Sequence, residues 1–515
     1  MKNKFDIVIA GGGPGGIQLA LTLKELNEQY GTDINFVILE AEKHAGSFYR
    51  KFPVHGQLIS NNKLYSGKPA EHRFTERFDW NSLLTKEKKI LMRNYSTDFH
   101  PRREALFDMI QDLVLEYQLP IHFETKWLNT RKNDEGTFEV ITDKGNYYCR
   151  YFILATGLVP KIPTIPGLEH VTMYENMREK EYYRDKRVLI LGKGNSAMES
   201  AQDILNEANL IMLASPSSAR LAYKTHYVGS IRATNSWLIE NYQLKHQAAL
   251  LDCHVVDIQK RDDGYDVTVT YVHAQNETET LFFNEVIAAT GFKPNFVNLM
   301  EDFNIQIIND KFPSITGEFE STDVSNLFFA GAQTHGLDFR ETSSGFIHGF
   351  RYNSKILANI LMERLNAPLG YRNIATNKIV EEILQELNES PDLWLQPGFI
   401  AYILKYRQGQ WTEVGYRTLK DFKECSLDAD ECLLAATLEY GDIHKFEDPL
   451  SIPRIPGEPS ESAHIHPVIR VRKAHKELMK YDLEEHLESR FTDPKYTAVL
   501  SELIKGIMKD HFIRA

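Results

Sequence analysis

Cysteine is scarce in this chain. There are four among 515 residues, Cys149, Cys253, Cys425 and Cys432. None stands in a CxxC pair, which excludes a zinc ribbon and a thioredoxin-type dithiol. So thin a supply fits a reducing compartment. No apolar run reaches the roughly 18 residues of a membrane span, so no membrane partner is expected. No charged-then-apolar leader precedes the first strand at Phe5, and the closing DHFIRA carries no retrieval or lipidation motif. A cytoplasmic protein is therefore expected. Positive charge is short as well: 59 basic against 71 acidic side chains, a net charge of -12. That disfavours a nucleic-acid partner, which would call for a basic face. Internal repeats and low-complexity tracts are missing too.

What is present is enough apolar sequence, 42%, for large cores. At roughly 150 residues per domain the length suggests about three domains. The stretch FDIVIAGGGPGGIQLAL, Phe5 to Leu21, places a buried parallel strand before a glycine turn and a helix. Gly11, Gly13 and Gly16 fit GxGxxG, with Pro14 and Gly15 inside the turn. The pattern gives a tight turn, close approach of backbone to a pyrophosphate, and close packing of helix on strand. The next strand, INFVILE, ends in Glu40, a carboxylate placed to accept hydrogen bonds from ribose hydroxyls.

A second opening of the same kind follows at VLILGKGNSAMES, Val188 to Ser200. Gly192, Gly194 and Ala197 give GxGxxA, with Asn195 and Ser196 beginning the helix. No acid closes the strand after it. SPSSARL follows instead, and its hydroxyls and Arg220 suit a 2'-phosphate. Two such units imply two dinucleotides, one donating electrons and one holding them. YFILATGLVP and EVIAATGFKPN each place ATG after an apolar strand, where small residues let chain and cofactor approach. These are Ala155, Thr156 and Gly157, then Thr290 and Gly291 after Ala289. The chain returns with NLFFAGAQTH and the helix GFIHGFRYNSKILANIL.

With these motifs the chain resembles the two-dinucleotide-binding-domain flavoproteins, near the class B flavin monooxygenases. GSFYRKFPVHGQLISNNK, DWNSLL, LGKGNSA, THYVG and GFIHGFRY resemble the FAD-dependent oxidoreductase domain-containing branch, related to the endoplasmic-reticulum flavoprotein associated with degradation. The resemblance implies an α/β fold of two Rossmann-like domains, the flavin domain discontinuous. It implies FAD and NADPH, with NADH less favoured, a small-molecule substrate and molecular oxygen. Ser47, Trp127, Gly331, Ala332, Ser344 and Gly345 join the glycine motifs as expected cofactor contacts. Asn62 and Lys63 best match a position that serves an oxygenated or reduced flavin. His226 and Tyr227 are expected in the nicotinamide or substrate cleft. Arg340, with His335, is expected near the flavin pyrimidine edge, where a helix start favours negative charge. Two departures stand out. Ala330-Gly331-Ala332 lacks the usual aspartate beside the glycine. Tyr174-Glu175 stands where such monooxygenases show an aromatic-histidine pair.

The expected organisation is an FAD domain over 1–165 and 285–365, an NAD(P)H domain over 166–284, and a mainly helical extension over 366–515. The extension includes an amphipathic helix in TNKIVEEILQEL, a loop in EDPLSIPRIPGEPSESAHIHP and a helix in HKELMKYDLEEHLESRF. It could cap the substrate cleft or form a homodimer interface. The function expected is an FAD- and NADPH-dependent oxidoreductase, a monooxygenase of small amine or sulfur nucleophiles. The competing readings are an NADPH oxidase or electron-transfer flavoprotein, a single-component flavin halogenase, and a redox-sensing or chaperone-like binding protein. No cysteine pair supports a disulfide reductase.

Overall fold

Each of the two glycine turns heads its own sheet. The computed structural model describes residues 3–239, 248–296, 303–309, 311–442, 454–474 and 476–509. The first sheet contains β1 (Lys4–Ala10), β2 (Phe36–Leu39), β3 (Ile121–His122), β4 (Trp127–Lys132), β5 (Phe138–Thr142) and β6 (Gly145–Leu154). They lie in the order β3-β2-β1-β6-β5-β4. β1 runs parallel to both neighbours, with Ile7 opposite Phe36 and Tyr151. Its buried β-branched run is what a strand covered on both faces requires. Helix α1 (Pro14–Tyr30) follows β1 and buries its small-residue first half. The expected helical insertion is α2 (Arg103–Glu116), and the expected meander is β4 to β6.

The chain then leaves through β7 (Leu158–Pro160) and enters a second sheet. That sheet comprises β8 (Thr172–Met173), β9 (Arg187–Leu191), β10 (Leu210–Ser215), β11 (Ala248–Lys260), β12 (Tyr265–Tyr271), β13 (Thr278–Phe283) and β14 (Glu285–Ala288). Its order is β13-β12-β11-β10-β9-β14-β8. Helix α3 (Asn195–Asp203) follows β9. Alternate residues of β9 face two separate cores, Val188 and Ile190 on one side, Leu189 and Leu191 on the other. β14 was expected to belong to the returning first unit. It pairs instead with β9, Glu285 opposite Val188, so the return passage begins only at Ala289. β15 (Phe292–Pro294) then runs antiparallel to β7. Both passages between the units therefore lie in one two-stranded ribbon. After a short ribbon of β16 (Ile307–Ile308) and β17 (Phe312–Pro313), β18 (Leu327–Phe329) joins the C-terminal half of β6. Helix α4 (Ile347–Arg364) follows.

The region after residue 366 differs from its expected, mainly helical form. The amphipathic helix is there as α5 (Ile379–Glu389), and α6 (Pro494–Met508) is a second. With them stands a six-stranded antiparallel sheet. It consists of β19 (Asn373–Ile374), β20 (Ile400–Arg407), β21 (Gln410–Thr418), β22 (Glu431–Glu439), β23 (His466–Lys473) and β24 (Lys476–Asp482). The expected helix over 475–491 is the edge strand β24 followed by coil; His475 lies outside the described residues. KELMKYD is made of good helix formers, but pairing with β23 overrides that local preference. Its exposed lysines and glutamate also suit an edge. The first part of the expected loop over 447–467 lies outside the described residues. Ile400, Leu434 and Ile469 of the third sheet share one core with Ile7, Ile38 and Phe152 of the first.

Candidate flavin and nicotinamide site

At the first turn a side chain is excluded by backbone. A Cβ on Gly15 would lie 2.3 Å from Gly331 Cα, and one on Gly16 would lie 2.1 Å from Gly11 O. Gly13 is different, because a Cβ there would meet nothing within 4 Å. Gly13 is also the N-cap of α1, with no side-chain cap and with Pro14 in the first turn. The leading amides of α1 are thus unfilled beside open space, which is how a helix receives a phosphate. Glu40 is buried and accepts from Gly12 N at 2.7 Å and Glu42 N at 2.9 Å. Burial raises its pKa despite those bonds. Ser47 donates to His44 O at 2.5 Å, in a turn that leans on Gly12 through Gly46 N.

Ala155, Thr156 and Gly157 lie opposite this turn; a Cβ on Gly11 would be 2.4 Å from Ala155 O. Thr156 Oγ1 accepts from Gln333 Nε2 at 2.9 Å. Gln333 was missed in the sequence. It is fully buried two residues beyond Gly331, and its Oε1 has no partner. It supplies an amide close to where the expected aspartate is lacking. Ala332 is half-buried between Gly331 and Gln333. The indole of Trp127 donates to Thr130 Oγ1 at 2.8 Å and packs edge-on against Phe152, inside the meander's core.

The second turn repeats the design. A Cβ on Gly192 would lie 2.3 Å from Ala289 O, while Gly194 faces open space and caps α3 without a side-chain bond. Ala197 is buried and Ser196 half-buried. Thr290 donates to Lys161 O at 2.6 Å and Gly291 O accepts from Lys161 N, fastening the two passages together. Arg220 is exposed on the loop after β10. Lys193, inside the turn, was not singled out from the sequence. Its ammonium meets Leu251 O at 3.0 Å and the Asp252 carboxylate. Against the upward pull of burial, bonds from Lys193, Ser218 and His273 hold Asp252 at about 2.

Asn195 links the second turn to a neighbouring loop. Its amide donates to Ser230 O at 2.9 Å and its Oδ1 accepts from Arg232 N at 3.0 Å. It thereby ties the start of α3 to the 229–232 loop. That loop meets the first unit: Arg232 reaches Asn61 Oδ1 at 3.4 Å and lies over Trp80 at 5.1 Å. Trp80 stacks on His348 at 4.3 Å, and His348 stacks on Phe346. His348 is buried with Nδ1 unpartnered, and burial holds its pKa far down, so the imidazole is neutral. Nearby, Tyr174 accepts from Val54 N at 3.0 Å, and burial pushes partly buried Glu199 up to about 7.

Tyr227 completes the junction. Its hydroxyl is 2.7 Å from His335 Nε2, and His335 Nδ1 is 2.8 Å from Asp338 Oδ1. The carboxylate accepts from Nδ1–H, which leaves Nε2 to accept from the tyrosine. Burial, with Asp338 adding to it, raises the Tyr227 pKa. Asp338 also accepts from Thr342 Oγ1 and, at 3.0 Å, from Ser344 N. A Cβ on Gly345 would press on the His335 ring at 2.8 Å.

Four expected reactive residues sit elsewhere or are otherwise occupied. Asn62 is buried, and its amide donates to Ser96 O at 2.9 Å and Asp98 O at 3.0 Å. It braces a loop, while its neighbour Asn61 faces Arg232. Lys63 is exposed, its ammonium over Phe78. His226 is exposed, edge-on to Tyr440 of the third unit. Arg340 is exposed over Phe339.

The fold and this junction define a two-unit flavin-dependent oxidoreductase. The family model described as pyridine nucleotide-disulphide oxidoreductase matches residues 8–331. The chain belongs to that family. It is 30% identical over 469 residues to FAD-dependent oxidoreductase domain-containing protein 2 of Mus musculus, covering 85% of this chain and 69% of the relative. Among solved structures, it superposes on the bacillithiol disulfide reductase Bdr of Staphylococcus aureus with a TM-score of 0.52 at 20% identity, over 70% of this chain and 99% of that one. A flavin-containing monooxygenase from Stenotrophomonas maltophilia gives 0.52 at 16% identity, over 70% and 99%. At those identities the likeness concerns the fold. None of the four cysteines here is in a disulfide. Among the described residues no group of side chains could hold a metal, and no helix is long and apolar enough to cross a membrane.

Proposed function

We propose that the chain binds FAD at its first glycine turn and NADPH at its second, and oxygenates a small nucleophilic amine or sulfur compound. The observation that supports this most is the junction, where the loop tied to α3 by Asn195 meets a wall of Trp80, His348, Phe346 and His335. Bound FAD supplies two-electron chemistry and reactivity toward oxygen. The uncapped starts of α1 and α3 hold the two pyrophosphates, and Arg220 takes the 2'-phosphate. The aromatic wall keeps water out, and neutral His348 adds no charge. Tyr227 carries a proton, its hydroxyl set by His335 and Asp338.

A second reading is an NADPH oxidase. Asn62 favours it, because its amide is spent on Ser96 and Asp98 and cannot serve a flavin. One experiment separates the two. The full chain is loaded with FAD, and NADPH loss and peroxide release are followed in air with and without an added amine or sulfide. Oxygenation is expected to consume NADPH with oxygenated product and little peroxide. Equal NADPH loss and peroxide release with every nucleophile would establish the oxidase instead.

A further inference from the structure

Among the polar side chains that the third unit sends into the first, Gln396 reaches furthest toward the glycine turn. Gln396 follows the short helix Pro391–Leu395 and is fully buried. Its Nε2 donates to Ser344 Oγ at 2.9 Å and to Asn353 Oδ1 at 3.1 Å. Both amide hydrogens are thus used, and Oε1 has no partner. Asn353 Nδ2 donates onward to Thr334 Oγ1 at 2.9 Å, and Thr334 donates to Gly331 O at 2.9 Å. Gln396, Ser344, Asn353 and Thr334 are all at most 1% exposed. Beside this path, Ser343 Oγ donates to Leu395 O at 2.8 Å.

The two ends of the path matter. Gly331 is the residue against which Gly15 of the first turn packs. Ser344 lies three residues before α4, and its amide is already held by Asp338. One amide from the C-terminal unit therefore braces both the phosphate end of the first cradle and the backbone leading into α4.

We infer that Gln396 is a positioning residue of the FAD site, through which the C-terminal unit fixes the Gly331 and Ser344 backbones. This rests on the reading of the first glycine turn as an FAD cradle. Its chemistry is directional: donors run from Gln396 through Asn353 and Thr334 to Gly331 O. Loss of Gln396 loosens Asn353 and Thr334 behind Gly331 O, and loss of the Thr334 hydroxyl frees that oxygen directly, so both ends act on one peptide and are coupled rather than independent.

The test uses the full chain carrying Gln396→Met, Thr334→Val, or both. FAD affinity, the flavin absorption bands and the flavin reduction potential are measured, with circular dichroism to confirm folding. Each single variant is expected to bind FAD about tenfold more weakly, roughly 1.4 kcal/mol. Each is also expected to shift the absorption bands and the potential. The double variant is expected to bind no worse than the weaker single variant. Folded variants with the parent's affinity, bands and potential would overturn the inference, as would losses that add in the double variant. If Gln396→Met does not fold, Thr334→Val decides alone: parental FAD binding there overturns it. A parent chain that takes up no FAD would sink the cradle reading itself, a different outcome.

Discussion

Tyr227 is the side chain on which the proposed chemistry can be tested most directly. Tyr227→Phe removes the hydroxyl facing His335 Nε2 and little else. Turnover is expected to fall by about a hundredfold, the usual scale for losing a positioned proton carrier, with FAD content unchanged. Steady-state rates and the flavin-to-protein ratio check this. Lys63→Ala, by contrast, is expected to change turnover less than about twofold, because the ammonium lies outside the junction. Glu199 carries a pH signature. Burial moves it from 4.5 to about 7, so between those values the folded chain holds a proton that the unfolded chain has released. Stability therefore falls as pH rises through that window and levels off above it. Glu199→Gln is expected to recover about 1–2 kcal/mol near pH 8, allowing for partial exposure, and almost nothing near pH 4, read by urea unfolding. At this scale the sequence was a partial guide. Asn62 was conspicuous in the sequence, but its amide is spent on Ser96 and Asp98, more than thirty residues away. Asp338 carried no motif, and only folding sets it behind His335.

The two strand-turn-helix elements were legible because their requirements are local. Glycines are needed where backbone meets backbone, and the spacing shows it. Gly13 and Gly15 should separate the two roles of such a turn. Gly13→Ala points into open space and is expected to weaken FAD binding while leaving the melting temperature of the cofactor-free chain unchanged. Gly15→Ala drives a methyl into Gly331 and is expected to lower both. Differential scanning fluorimetry and FAD titration distinguish them. The strands after residue 366 were not legible for a complementary reason. IAYILKYR and ECLLAATLE are buried on both faces, so they show no alternation. KELMKYD is held as a strand by its neighbour alone.

The whole molecule divides differently from the order of its motifs. The first and third sheets share one core, whereas the second sheet is closed by two cores of its own. A chain ended at Leu365 is expected to aggregate, since the apolar face that covers the third sheet would be bare. Solubility and size-exclusion profiles check it. The same arrangement leaves the second unit covalently joined to the rest at a single seam. Both of its covalent connections run through β7 and β15, laid side by side and pinned by Lys161 with Thr290 and Gly291. A body tied to its neighbour along one line behaves as a door does on its jamb. A swing of the second unit about that line would have to part the tyrosine hydroxyl from the histidine ring, Arg232 from Asn61 and Tyr174 from Val54.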